Sequence, residues 1–485
     1  MKTKILYFFT GLFTLFFCFS CSDDDDSASP STSVNDFVWK AMNLWYYWQE
    51  DVADLSDTRF QTDAEYTQFL QSKSTENLFF SLLNQYGTID RFSWIVPDYH
   101  DLENQFAGIN KSFGMKYGLV YLNSESNQIF GYLQYVIPNS PAWNAGLKRG
   151  DIFNSINGIN LTDSNYNELL AQPSADFGMA YLENGQLFNL NQTISIQKTV
   201  IQENPVYLTK IIETNGHKIG YLLYNGFRAN FNSELNDAFG ELKAAGITDL
   251  IVDLRYNGGG SVETSVLLGS MITGQFENQT FTQLTFNEKA SQNNSNYKFR
   301  NEGKAYDNDL NLTGTFPINH LNLNQLIVLT SRNTASASEM LISCLRPYIQ
   351  VSTIGLTTYG KTVGSITLYD SPSSSYTSTN KINTSHTWAM QPIVFEYKDS
   401  QNQPSPIQGI LPETEINEIH YLEDLPALGD TNEPLLAQAL AKITGISKVP
   451  FPSFNYSATN FFKSSQDLEK FGTEMYLNKG YYPTP

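Results

Sequence analysis

The chain has 485 residues, 41% of them hydrophobic and 14% aromatic, enough for a packed core and too many for one ordinary domain. Charged residues make up 16%, below the ~25% of typical globular chains, which excludes a disordered chain or a long charged coil. The formal net charge is −19, with 49 acidic against 30 basic residues, and no basic patch offers a grip on a phosphate backbone, so no nucleic-acid partner is expected.

Lys2 and Lys4 precede an apolar run over residues 5–19 that is too short to span a membrane, so residues 1–20 read as a signal peptide. The Phe-Ser-Cys ending at Cys21 resembles the lipobox of bacterial lipoproteins. That resemblance implies lipidation of Cys21 and attachment to a membrane of the bacterial cell envelope through an N-terminal anchor. An ordinary secretory signal followed by a free cysteine is the alternative. Residues 21–36, acidic and then Ser/Pro-rich, are expected to form a disordered tether. The acidic run 23–26 resembles the signal that sends some Gram-negative outer-membrane lipoproteins to the cell surface; a solvated spacer is the plainer reading.

Residues 37–106 carry apolar positions at helical spacing, among them Trp39, Met42, Tyr46, Phe69, Leu70, Leu78 and Leu82, and predict a small helical N-terminal domain. Residues 107–200 read as short strands. Within them, residues 140–151 predict a short helix stopped at Gly146 and a tight turn at Gly150, followed by a strand closed by Asn157-Gly158. This stretch resembles PDZ domains, which hold a peptide by adding it as a strand to a sheet edge. The resemblance implies a capturing loop over residues 113–119, with Gly118 and Leu119 as peptide-binding residues.

Residues 201–445 alternate strand and helix: strands over 220–227, 250–254, 326–330 and 351–355, and a helix over 232–245 with Leu235, Phe239 and Leu242 on one stripe and Gly246 as its stop. This predicts an α/β layer with right-handed crossovers. Residues 275–319, polar and Asn-rich, predict hairpins and loops. The tail, 446–485, holds Phe451, Phe454, Tyr456, Phe461 and Phe462 and is expected to pack back on the body. Three cysteines make no disulfide framework, Cys344 reads as a buried apolar residue, and the five scattered histidines lack metal-ligand spacing, so neither a metal nor a cofactor is expected.

Sites in open α/β sheets form at the carboxyl ends of strands. One such end runs into Gly258, Gly259 and Gly260, whose backbone N–H groups suit an anion or oxyanion; a tight turn explains them equally, and no phosphate-loop lysine follows in register. Another is Thr-Ala-Ser-Ala-Ser-Glu over 334–339. Ser336 and Glu339 match a helix capping box, but the next strand returns Tyr359-Gly360-Lys361 to the same rim. A serine hydroxyl needs a base, and a lysine serves when burial lowers its pKa. Ser-Lys pairs are a variant of the serine triad.

The glycine-rich strand end, the Thr-Ala-Ser-Ala-Ser-Glu turn, a lysine 25 residues after the serine, the upstream PDZ-like stretch and Gly-Ile-Leu-Pro-Glu at 409–413 together resemble the C-terminal processing peptidases, or tail-specific proteases. The similarity covers residues 110–445. It implies a multidomain α/β chain with a ClpP/crotonase-like serine peptidase core, Ser336 as nucleophile and Lys361 as general base. It also implies an oxyanion hole from the backbone N–H of Ala337 and of Gly259 or Gly260, and cleavage of proteins or peptides. Where the family commonly has a glutamine that orients the lysine, this chain has Ser365, and its Asn-Gly-Gly-Gly lacks the family's proline. The competing reading is a catalytically weak or inactive peptide-binding lipoprotein on the same scaffold.

Overall fold

The computed structural model describes residues 30–123, 125–446 and 461–478. The signal segment, Cys21 and the tail aromatics Phe451, Phe454 and Tyr456 lie outside these residues. The first helix, Pro30–Trp45 (α1), begins inside the segment expected to be a tether. Val34 and Asn35 are buried, and Asn35 Nδ2 donates to the Leu70 (2.7 Å) and Lys73 (3.1 Å) carbonyls, so the apolar face of the helix extends ahead of the predicted boundary. Helices Asp63–Gln71 (α2) and Thr75–Ser81 (α3) start at Thr62 and Ser74, whose side chains accept from Glu65 and Asn77 N–H, and Tyr99–Phe106 (α4) ends the region. Rather than standing apart, α1, α2 and α3 share one core with the α/β region: Trp45 Nε1 donates to the Ser375 carbonyl at 2.7 Å and Tyr47 N–H to that of Ile393 at 2.8 Å.

The PDZ-like region is an antiparallel sheet of Met115–Tyr121 (β1), Ile129–Val136 (β2), Ile152–Ile156 (β3), Ser174–Glu183 (β4) and Gln186–Gln197 (β5), in that order. The predicted helix and turn are present: helix Pro141–Asn144 is followed by Gly146 and Gly150 at φ 82° and 87°. The region closes on itself where Ile109–Ser112 pairs with Thr199–Gln202.

From there the chain builds two further sheets from β6 (Val206–Thr214), β7 (His217–Tyr224), helix α5 (Asn232–Ala245), β8 (Asp249–Asp253), β9 (Gly259–Ser261), α6 (Val262–Thr273), β10 (Thr280–Phe286), β11 (Ser295–Lys298), β12 (Gln325–Thr330), α7 (Ala337–Leu345), β13 (Gln350–Gly355), β14 (Val363–Ser365), β15 (Ile393–Asp399), β16 (Thr414–Glu415) and α8 (Pro434–Thr444). The first has the order β6-β7-β8-β12-β13-β16, parallel apart from the β6 edge. Its inner strands β7, β8, β12 and β13 are largely buried because both faces are covered. Leu222, Tyr224, Val252 and Val328 face α5, α6 and α7, while Tyr221, Leu223, Ile251 and Leu329 pack with Leu435, Leu436 and Leu440 of α8. Helix α5 buries Leu235, Phe239 and Leu242 and stops at Gly246 in the left-handed region, as predicted.

The tail strands are Phe461–Ser464 (β17) and Glu474–Tyr476 (β18). The tail therefore does more than pack back: β17 joins the PDZ-like sheet beside β1, and β18 completes the second core sheet, ordered β9-β18-β14-β15-β10-β11. Among the described residues no helix is long and apolar enough to cross a membrane.

Candidate active site

The turn between β12 and α7 presents Ser336 at φ 64° and ψ −115°, a left-handed conformation that costs a non-glycine residue about 1–3 kcal/mol. Such strain persists only where surrounding contacts dictate it, and here one carboxylate does so. Glu339, fully buried in the first turn of α7, accepts from Ser336 N–H (2.7 Å) and Lys361 N–H (2.9 Å) on Oε2, and from Gly360 N–H (2.7 Å) and Thr358 Oγ1 (2.5 Å) on Oε1. Burial pushes its carboxyl up from the usual range while the four hydrogen bonds pull it back. The capping box read in the sequence is present in outline, since Glu339 binds the Ser336 amide. The Ser336 hydroxyl, turned towards the helix, makes no well-formed hydrogen bond, and it is fully buried.

Lys361 lies past the end of β13, 3% exposed. Its Nζ donates to the Thr473 carbonyl at 2.7 Å and sits 4.8 Å from the centre of the Phe92 ring. Burial lowers its pKa from 10.5 to about 8, opposed by the charges of Glu474, Asp90 and Glu339. The β12–α7–β13 unit thus brings Ser336 and Lys361 to one rim, joined through Glu339, and no hydrogen bond links hydroxyl to amine in this state.

Ala337 is the first residue of α7, so its N–H has no carbonyl within the helix to donate to. Gly259 and Gly260, at φ 105° and 135°, form β9. The Gly259 N–H donates to Asn257 Oδ1 at 2.9 Å, which corrects the expectation of a free oxyanion donor there. Asn257, buried, also donates to the Tyr224 carbonyl (2.8 Å) and accepts from Ala335 N–H (3.1 Å) and Ser338 Oγ (3.1 Å), fixing the glycine strand to the serine turn. The Ser365 hydroxyl contacts the Gln391 side chain and the Met475 carbonyl (3.2 Å) rather than Lys361. Hence the lysine is oriented by Thr473, not by Ser365.

Gly118 and Leu119 lie in the middle of β1 and not in a loop. The turn is one step earlier, at Gly114 (φ 83°), because Gly118 is needed for a different purpose: a Cβ there would meet the Tyr132 ring at 2.3 Å. A buried ionic cluster joins this sheet to the glycine strand. Arg149 donates to Tyr256 (2.5 Å) and Glu418 (3.0 Å), and Arg255 to Glu433 (2.5 Å) and Asp253 (2.8 Å). The residues missed in the sequence are Glu339, readable only as a cap; Asn257, a polar residue ahead of a glycine run; and Phe92 and Thr473, which no local pattern marks.

Residues 218–395 match the model of peptidase family S41, residues 33–94 that of the peptidase S41 N-terminal domain, and residues 133–175 that of the PDZ domain. Among curated proteins, the chain is 26% identical over 232 residues to a carboxyl-terminal-processing protease of Picosynechococcus, covering 46% of this chain and 49% of the relative. It is 25% identical over 263 residues to the carboxy-terminal processing protease CtpB of Bacillus subtilis, covering 54% and 48%. The chain thus spans about half the length of these relatives. A solved structure from Bacteroides fragilis that bears the name S41 protease superimposes with a TM-score of 0.65 at 26% identity, over 85% of this chain and 98% of that one. The chain therefore carries a family S41 peptidase domain, preceded by an S41 N-terminal domain and a PDZ domain.

Proposed function

We propose that the chain is a serine endopeptidase in which Ser336 is the nucleophile and Lys361 the general base. The observation that carries this reading is the pairing of a buried lysine, its pKa brought down to about 8, with a buried serine hydroxyl free of other partners, both tied to one carboxylate. Neutral Lys361 accepts the Ser336 proton as Oγ attacks the scissile carbonyl carbon. The same amine then delivers that proton to the leaving nitrogen, and water, deprotonated in turn, releases the acyl group. The oxyanion is stabilised by the Ala337 N–H. Substrates are proteins or peptides whose C-terminus the PDZ domain captures beside Gly118 and Leu119. Lipidation at Cys21 holds the enzyme on an envelope membrane, as an outer-membrane lipoprotein.

The test uses residues 22–485 beside Ser336→Ala, each given an unfolded protein with its C-terminus free or amidated. Cleavage lost in the variant and preference for the free carboxylate are expected; equal cleavage by both chains would refute the nucleophile. A peptide-binding protein without turnover is the second reading, favoured by the missing hydrogen bond between Ser336 and Lys361. Binding by both chains without cleavage would select it.

A further inference from the structure

Residues 461–478 touch both halves of the site. Strand β17 pairs antiparallel with β1, Lys463 opposite Leu119 and Ser464 opposite Gly118, on the sheet edge available for an added peptide strand. The next residues cross between the domains. Tyr117 N–H donates to Ser465 Oγ (3.2 Å), Gln466 Nε2 to the Asn333 carbonyl (2.9 Å), and Lys116 pairs with Glu469. Strand β18 then lies between β9 and β14 and is parallel to both, so one neighbour carries the glycines and the other follows the lysine. Glu474 N–H donates to the Gly258 carbonyl at 2.9 Å, and Thr473 holds Lys361 Nζ. A Cβ on Gly259 would stand 2.2 Å from the Glu474 carbonyl oxygen and 2.7 Å from Ser336 Cβ. The main chain at Glu474 and the nucleophile's side chain therefore border the same gap.

We infer that residues 461–478 occupy the peptide track of their own chain: β17 fills the PDZ edge, β18 fills the catalytic slot, and an extended substrate gains the site by displacing them. The inference rests on the peptidase reading for what the track delivers. Two observations favour an occupant over a strand that merely completes a sheet. Both strands are held beside the elements that bear the site, and many of those contacts are main-chain hydrogen bonds that any extended peptide reproduces. Further, the segment's own carbonyl at Thr473 holds the amine that Ser336 needs, so the dyad stays open while the segment is seated. A tethered occupant competes at an effective concentration on the order of millimolar, which suppresses weak, non-selective peptides and admits a substrate that engages the PDZ edge and the slot together.

The test compares three chains starting at residue 22: full length, full length with Lys463→Pro, and one ending at residue 460. Proline at 463 interrupts β17 at a half-buried position without altering the core. A fluorescent peptide of residues 461–478 is titrated into each on a Ser336→Ala background, and a fluorophosphonate probe is applied to each with Ser336 intact. Binding at least tenfold tighter to the shortened chain than to full length, with Lys463→Pro between them, is expected, as is probe labelling at least fivefold faster in the same order. Equal binding in all three, or labelling that occurs at the same rate in all three, overturns the inference and leaves the peptidase reading standing. Ordered binding with no labelling of any chain keeps the occupant and removes the peptidase. If the shortened chain does not fold, Lys463→Pro decides alone: no gain in binding or labelling refutes the occupant.

Discussion

Lys361→Met separates the chemistry of the site from its stability. The amine is 3% exposed with a pKa near 8 against 10.5 for an ordinary lysine, so the folded state forgoes ~3 kcal/mol whenever Nζ is charged. The sign follows from proton uptake. Between pH 8 and 10.5 the unfolded chain holds a proton that the folded chain has released, so stability rises with pH across that window and the full penalty applies below it. Methionine matches the unbranched stem and removes the charge, but it leaves the Thr473 carbonyl without a donor, which costs about 1–2 kcal/mol. At pH 7 the variant is therefore expected to be more stable than the parent by ~1–2 kcal/mol. By pH 10.5 the order reverses, a change of ~3 kcal/mol in the difference. Urea unfolding of both chains at the two pH values measures it. A Met variant that is less stable at pH 7, or a difference that ignores pH, would refute the buried-amine reasoning. Peptide cleavage by the parent should climb with a midpoint near pH 8: at pH 7 about a tenth of Lys361 is neutral, against about one in 3,000 for an ordinary lysine.

Other perturbations test the scaffold of the site. Glu339→Gln replaces two acceptors with an amide that faces either Ser336 and Lys361 N–H or Thr358 and Gly360; a loss of about 2–3 kcal/mol and a fall in kcat at unchanged KM are expected, and unchanged stability would contradict the carboxylate's role. Ser336→Gly should be more stable than Ser336→Ala by about 1 kcal/mol, because glycine adopts φ 64°, ψ −115° without strain; thermal melts of the two variants decide this. Arg149→Met leaves Glu418 with the Tyr132 and Tyr256 hydroxyls and with Arg255 at 3.8 Å, and should cost about 3 kcal/mol, with Arg149→Met/Glu418→Gln recovering part of it. No recovery would place the loss in packing rather than charge.

Wherever a pattern is local, the sequence carried it into the structure. The stripe of Leu235, Phe239 and Leu242 with Gly246 behind it marks one helix because burial and chain reversal act within a few turns. The buried strands are equally legible, since apolar runs between turn residues have one use in a sheet covered on both faces. The placing of Ser336 and Lys361 on one rim followed from a single β-α-β unit, whose two parallel strands end on the same side of the sheet. What failed depends on long separations. Strands β9 and β18 have three residues each, too few for a period of two to register, and they pair Gly259 with Glu474 across most of the peptidase region. The start of α1 was hidden because Ser and Pro dominate residues that tertiary contacts, such as Asn35 to Leu70, hold helical.

The unfavourable features of this fold concentrate at one point. A non-glycine residue in a left-handed conformation, its unpaired buried hydroxyl and a buried lysine of depressed pKa meet at the Glu339 carboxylate, together worth several kcal/mol against the ~5–15 kcal/mol by which domains are stable. Folding alone gives no reason to keep them, since glycine at 336 and methionine at 361 would relieve both strains. Peptide capture gives none either: strand addition on β1 uses main-chain groups some distance along the chain from the strained turn. The proposed acyl transfer would account for each of them, because it needs a nucleophile held off ordinary geometry with no competing partner and an amine that is neutral near physiological pH. On the proposed displacement, the missing bond between Ser336 and Lys361 does not weigh against this, for the Thr473 carbonyl that holds the amine belongs to the segment to be displaced. Stability gained by Lys361→Met follows from the burial of the amine alone, so labelling gained on displacing β18 is what separates the readings, and a binder lacking chemistry predicts no labelling.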